Sequence, residues 1–200
     1  LISAQSGCSA LVTNATMDHF WLNAGFPVWA ERRILEALHG EEAAVLGWAI
    51  GQKALEQALE RFGTDSPLTR LRTDLQGVDP DDAFSTIPYE KGSRFLALVE
   101  RTTGRVRFDR FMRDYIARFQ FTSITTEEFL EFLAEKLPGT TARVRAREWG
   151  YEPGLPANAP VVRSAKLDEL TGLAAAWTQG KRPRPEQLAA LSPSELLVYL

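Results

Sequence analysis

The chain has 200 residues, of which 44% are hydrophobic and 24% charged, and its formal net charge is −3. This length supports one substantial domain with a buried core, and the composition is typical of a soluble globular protein. The slightly acidic balance excludes the basic surface that nucleic-acid binding requires, so we expect no nucleic-acid partner. No apolar run is long enough to span a bilayer, so we expect no membrane partner either.

Cysteine and histidine are scarce in this sequence. The single cysteine, Cys8, cannot form an internal disulfide, and it fits a reducing compartment. Since no signal peptide is recognisable, we predict a cytoplasmic location. The two histidines, His19 and His39, show no close metal-ligand spacing with Cys8, which argues against a built-in zinc centre.

The first half of the chain predicts helices separated by a loop. Residues 16–39 repeat apolar residues three and four apart until Gly40, and residues 41–62 do the same until Gly63. Residues 66–87 are rich in proline, glycine and aspartate. They predict a loop with at most one short helical turn.

The second half continues the helical pattern. Helices are predicted from Pro88 to near Gly104 and over residues 108–119, because proline is favoured in a first helical turn and glycine after a last one. The next helix begins at a capping box made by Thr125 and Glu128.

The C-terminal part begins with a short stretch, 142–149, whose structure the pattern does not decide, and a proline-rich extended segment over 152–160. Helices are predicted over 164–178 and 192–200, the second opened by a capping box of Ser192 and Glu195. No run of alternating strand residues stands out, so the fold class is mainly α.

Four segments of the sequence resemble the M1 zinc aminopeptidases, and most of all the branch that contains leukotriene A4 hydrolase. They are LVTNATMDHFWLNAGF at 11–26, PYEKG at 88–92, SITTEEFLEFL at 123–133 and YEPGLP at 151–156. The resemblance implies three parts, namely the helical half of a thermolysin-like catalytic domain, a linker and the start of a C-terminal helical domain. Their predicted bounds are 1–150, 151–161 and 162–200.

The resemblance also implies a zinc site. The family motif is His-Glu-x-x-His, then eighteen intervening residues, then Glu. Two histidines four apart on a helix share one zinc, and the glutamate between them is the general base. Aligning the segment LVTN places these roles at Leu1, Ile2, Gln5 and Ala24. None of these side chains is a zinc ligand of the usual kind, so we expect no bound zinc and no cofactor, although the family uses zinc.

Further replacements surround these positions. Gly7, Ala10 and Met17 stand where the family usually has Trp, Asn and Trp. Because the flanking segments remain intact while one pocket has been emptied, we interpret the pattern as deliberate redesign of a fragment. A natural pseudoenzyme is the alternative.

Three other positions match functional residues of the family. Tyr89 matches the tyrosine that stabilises the oxyanion of the tetrahedral intermediate, for which a neutral phenol is suited; alternatively, it is a half-buried helix-start residue. Asp81 matches a carboxylate of the substrate cleft or is a turn residue. Glu31, seven residues after Ala24, matches a residue that supports the zinc ligands, or it pairs with a neighbouring arginine.

Cys8 is a candidate nucleophile, because a thiolate with a histidine in reach can attack a carbonyl carbon. The nearest histidine is His19, five positions before Ala24. That is about 140° around an α-helix and therefore away from the pocket face. The alternative is that Cys8 is a small buried residue without a chemical role.

The sequence supports three alternative hypotheses about function. The first is an M1-like scaffold that is not an active zinc peptidase. The second is a metal-free, esterase-like hydrolase that uses Cys8. The third is a binding or assembly module that associates with itself through surface left exposed by missing domains. No substrate, small-molecule ligand or peptide ligand can be identified from the residues alone, and whether the chain is an enzyme stays open.

Overall fold

The computed structural model describes residues 11–200, except for the side chain of Pro80. Eleven α-helices make up most of this part of the chain. In chain order they are α1 Trp21–His39, α2 Glu41–Phe62, α3 Pro80–Ala83, α4 Ile87–Thr103, α5 Arg105–Phe119, α6 Thr126–Lys136, α7 Thr140–Arg143, α8 Ala146–Tyr151, α9 Ala165–Thr178, α10 Pro185–Ala189 and α11 Pro193–Tyr199. The mainly α prediction is confirmed. Of these helices, none is long and apolar enough to cross a membrane.

The helix ends carry the signals that the sequence indicated. Gly40 and Gly104 adopt φ values of 86° and 84° where α1 and α4 end, in a backbone region that glycine tolerates best. At the start of α6, the Thr125 hydroxyl accepts from the Glu128 N–H at 3.2 Å, and the Glu128 carboxylate accepts from the Thr125 N–H at 2.8 Å. The same reciprocal capping box opens α11. Both predicted capping boxes are therefore confirmed.

The structure differs from the sequence-based prediction in its short elements. Two three-residue strands, β1 Val12–Asn14 and β2 Thr122–Ile124, form a parallel pair, which the helical pattern did not reveal because each strand is so short. The loop at 66–87 contains two short elements, the 3-10 helix Pro67–Thr69 and α3, where one was expected.

The predicted first helix is also broken at its start. Met17–His19 form a separate 3-10 helix, and α1 begins only at Trp21. The prediction that His19 points about 140° away from Ala24 assumed one continuous helix. Since the two residues lie in different helices, that angle does not apply. The helix predicted from residue 108 begins earlier, directly after Gly104.

The core is an aromatic cluster between α1, α4, α5 and α6. Phe129 of α6 is fully buried at its centre. The rings around it lie with their centroids 5.3–6.5 Å away and meet it near a right angle, the arrangement that aromatic quadrupoles favour; they are Trp21, Phe26, Phe95, Phe111 and Tyr115.

Helices α1 and α4 meet at glycines. A Cβ atom placed on Gly25 would lie only 2.8 Å from the carbonyl carbon of Gly92, so the two backbones touch there directly. This contact brings the α1 residues that follow Phe20 next to the first turns of α4, which carry Tyr89 and Lys91. The approach of these two helices therefore positions the candidate site.

Residues 152–164 contain no helix or strand, as the proline-rich composition predicted, but they are attached to the helices. The Asn158 amide bonds the Trp149 indole N–H and the Val144 carbonyl at 3.1 and 2.9 Å. Arg94 of α4 donates to the Pro160 carbonyl at 3.2 Å. This segment therefore packs on the helical body along its length, and the domain boundary at residues 151–161 stays a prediction.

Candidate functional site

The positions that the resemblance assigns to zinc fall partly outside the described residues. Leu1, Ile2 and Gln5 lie there, and so does the candidate nucleophile Cys8. Ala24 lies in α1 with 2% of its surface exposed, and its methyl group has no donor atom. Within residues 11–200, no group of three or more His, Cys, Asp or Glu side chains could hold a metal ion. The residue present at position 24 does not fit a zinc site.

Tyr89 contacts the residue that directly precedes α1. It is half-buried in the first turn of α4. Its ring meets the edge of Phe20 at a centroid distance of 5.7 Å and an angle of 78°. Since Phe20 lies four residues before Ala24, Tyr89 and the position assigned to the glutamate ligand belong to the same region of the molecule.

An apolar pocket of about 120 Å³ opens beside this aromatic pair. Its walls come from the 3-10 helix before α1, the loop at 68–75, and α3 with the start of α4. Most side chains that line it are apolar, among them Met17, Phe20, Trp21, Leu71, Leu75 and Phe84. An apolar cavity of roughly 150 Å³ accepts a benzene molecule. The pocket is somewhat smaller than that, and it can hold a group of about the size of a leucine side chain.

Glu31 and Asp81 lie among polar partners rather than around an open ligand position. The Glu31 carboxylate lies 3.3 Å from the Arg32 guanidinium, and Arg32 also lies 3.4 Å from Glu90. Asp81 is exposed, and its backbone N–H donates to the side chain of Asp79, which caps α3 at 2.9 Å. Glu31 therefore forms a salt bridge, and Asp81 lies in the first turn of α3.

Glu90 links three helices from a buried position. One of its carboxylate oxygens, Oε2, has no hydrogen-bond partner, and a Cβ atom on Gly51 of α2 would lie 2.0 Å from it. Burial raises the pKa of Glu90, while Arg32 and Arg94 oppose that shift. The tight fit against Gly51 fixes the register of α2 on α4. This role could not be predicted from the sequence, because a glutamate is usually a surface residue.

His19 is buried and hydrogen-bonded to the start of α6. Its Nδ1 accepts from the Thr126 backbone N–H at 3.1 Å and lies 3.0 Å from the Thr126 hydroxyl. That hydroxyl also accepts from the Trp21 indole N–H at 2.9 Å. Burial lowers the pKa of His19, and Arg72 adds to this, although Glu127 opposes it. His19 is therefore a neutral acceptor that joins the chain before α1 to α6.

Lys91 is the residue near the pocket that the sequence analysis missed. It is 0% exposed, and its Nζ donates to the backbone carbonyls of Thr69 and Glu152 at 2.9 and 3.0 Å. Burial lowers its pKa to about 7. Its position in the PYEKG segment was the only available signal, because lysine is almost never fully buried unless it is paired.

Comparison with known proteins relates this architecture to one family. The Peptidase family M1 domain matches residues 8–149. Leucine aminopeptidase 2 of Aspergillus terreus is 39% identical over 207 residues, which cover 98% of this chain and 33% of that protein. A leukotriene A-4 hydrolase homolog of Botryotinia fuckeliana is 37% identical over 204 residues, with 98% and 31% covered. The chain thus spans about a third of the length of these relatives.

Solved structures agree in fold. Native yeast LTA4 hydrolase superposes with a TM-score of 0.76 at 36% identity, over 88% of this chain and 29% of that one. The M1 zinc metallopeptidase of Deinococcus radiodurans superposes with a TM-score of 0.61 over 81% and 33% of the two chains. At 21% identity, the second likeness concerns the fold alone.

Proposed function

This chain belongs to peptidase family M1, and on that premise we propose that it is an M1 scaffold that binds an apolar side chain without acting as a zinc peptidase. The observation that carries the proposal is that the apolar pocket is formed, although the buried residue at the position of the glutamate ligand, Ala24, has only a methyl group. A zinc peptidase needs a metal to lower the pKa of its attacking water. The side chains at Leu1, Ile2, Gln5 and Ala24 supply neither the ligands nor the general base.

The ligand class follows from the pocket and from the relatives. Several relatives are named leucine aminopeptidases, and the pocket volume suits a side chain of that size. Tyr89, whose ring contacts Phe20 of the pocket wall edge to face, can then donate its phenol O–H to a carbonyl of the bound molecule. We keep redesign as our interpretation of the replaced positions, and a cytoplasmic location as our expectation.

The test combines catalysis and binding. We expect no hydrolysis of leucine p-nitroanilide above background with added zinc, together with measurable binding of toluene, a small apolar probe without a charge or a hydrogen-bonding group. The variant Ala83→Phe fills the pocket, since Ala83 lines it, and should abolish toluene binding. Ala134→Phe, at an exposed position of α6, is the matched control and should bind like the parent chain. Zinc-dependent hydrolysis, or equal binding by Ala83→Phe, would refute the proposal.

A further inference from the structure

Lys91 connects two segments that are far apart in sequence. Its Nζ donates to the Thr69 carbonyl at the end of the 3-10 helix and to the Glu152 carbonyl just after α8. In the described part of the chain, no carboxylate lies within salt-bridge distance of this amine. A lysine held only by two carbonyls at full burial is unusual, because its charge is left without a counter-ion.

Thr69 forms the other half of the connection. It is 0% exposed, and its hydroxyl accepts from the Gly154 N–H at 2.8 Å while donating to the Ser66 carbonyl at 2.6 Å. Thr69 is thus bonded to residues 152–154 twice, once directly and once through Lys91. We call this arrangement of Lys91, Thr69, Glu152 and Gly154 the lysine clamp.

The lysine clamp lies directly behind one wall of the apolar pocket. Leu68, Arg70 and Leu71, which flank Thr69 in the chain, all line the pocket, whereas Lys91 does not. Because Thr69 is held between these residues, a displacement of its carbonyl displaces the wall. A group outside the pocket can therefore change the pocket's shape.

We propose that Lys91 is a positioning residue of the apolar pocket, which holds the wall at residues 68–71 against residues 152–154 and so sets the affinity for an apolar side chain. The inference rests on the proposed function, because it concerns the same pocket. It adds that the segment after α8 controls ligand affinity through one buried amine.

Protonation of this amine gives the clamp a pH dependence. A neutral amine has two N–H donors, which match the two carbonyls. Burial lowers the pKa of Lys91 to about 7, with Arg70 adding to that shift and Glu152, the other charged group facing the amine, opposing it. Below this pH the amine carries a buried positive charge beside Arg70, which lines the pocket. The ammonium still bonds the two carbonyls, but its repulsion of the Arg70 guanidinium displaces the wall, and the affinity of the pocket falls.

The experiment measures toluene binding by NMR titration between pH 6 and 8.5, since toluene itself does not titrate. We expect the parent chain to lose about fivefold in affinity from pH 8.5 to 6, the lower end of typical couplings between sites. Lys91→Met should weaken binding about fivefold at pH 8.5 and lose the pH dependence. Lys53→Met, at an exposed lysine of α2, is the matched control and should behave like the parent chain.

The outcomes separate the two proposals. If toluene binds Ala83→Phe as well as it binds the parent chain, the pocket is not the binding site and the proposed function fails. If Ala83→Phe abolishes binding but Lys91→Met retains the parent affinity and pH profile, the role of Lys91 is refuted and the proposed function stands. If Lys91→Met does not fold, the pH dependence of toluene affinity in the parent chain tests the role of Lys91. An affinity that is constant from pH 6 to 8.5 refutes that role.

Discussion

The substitution Gly25→Ala tests how closely α1 and α4 are packed. The added Cβ would lie 2.8 Å from the Gly92 carbonyl carbon and 2.9 Å from its Cα, and both atoms belong to the backbone. Carbon atoms rest about 3.5–4.0 Å apart, so the helices must separate by roughly 0.5–1 Å. Overpacking of this kind destabilises the folded state by about 1–3 kcal/mol. The better helix propensity of alanine offsets about 0.5–1 kcal/mol of that.

We therefore expect Gly25→Ala to lower the free energy of unfolding by about 0.5–2 kcal/mol, measured from the urea midpoint at constant slope. For a chain of this size that corresponds to a fall in Tm of about 1–8 °C. The control is Gly172→Ala in α9, where an added Cβ meets nothing within 4 Å; it should be neutral or slightly stabilising. Equal stability of the parent chain and Gly25→Ala would refute the close helix contact.

Three further predictions concern buried polar groups. Burial lowers the pKa of His19 below 6.5 in the folded state, so the unfolded state binds more protons below that pH. The free energy of unfolding should therefore fall as the pH drops from 6.5. Urea unfolding of His19→Gln should show a smaller fall over the same pH range. For Lys91, whose pKa is about 7 folded and 10.5 unfolded, the free energy of unfolding should rise with pH across that window, and Lys91→Met should remove the rise. Thr126→Val leaves the buried Trp21 indole N–H without its acceptor and should cost about 1–3 kcal/mol by urea unfolding, whereas an unchanged midpoint would contradict this bond.

The helices could be predicted because their signals are local. A capping box such as Thr125 with Glu128 depends on residues three apart, and a glycine such as Gly40 ends a helix through its own backbone freedom. The two strands could not, since three residues carry no periodicity and their pairing joins Val12 to Thr122 across the chain. Local patterns contain no information about such long-range partners.

The candidate site likewise contains residues that could be predicted from the sequence and one that could not. The resemblance located Tyr89 and Ala24 by their place in intact segments, and the structure brings their surroundings together through the Gly25 contact. Lys91 could not be found, because its burial depends on carbonyls at Thr69 and Glu152 that only the fold places beside it. A position in the fold could therefore be predicted where it depended on an intact local segment, and could not be predicted where it depended on distant backbone.

The zinc content per chain shows whether this M1 scaffold lacks the family's zinc, as we propose. The protein is loaded with zinc, dialysed exhaustively and assayed by elemental analysis. A triple variant with Leu1→His, Gln5→His and Ala24→Glu, which restores the family's three ligands, is the positive control. We expect near-zero zinc in the parent chain and about one zinc per chain in the variant. One tightly held zinc in the parent chain would show that the chain retains a zinc site.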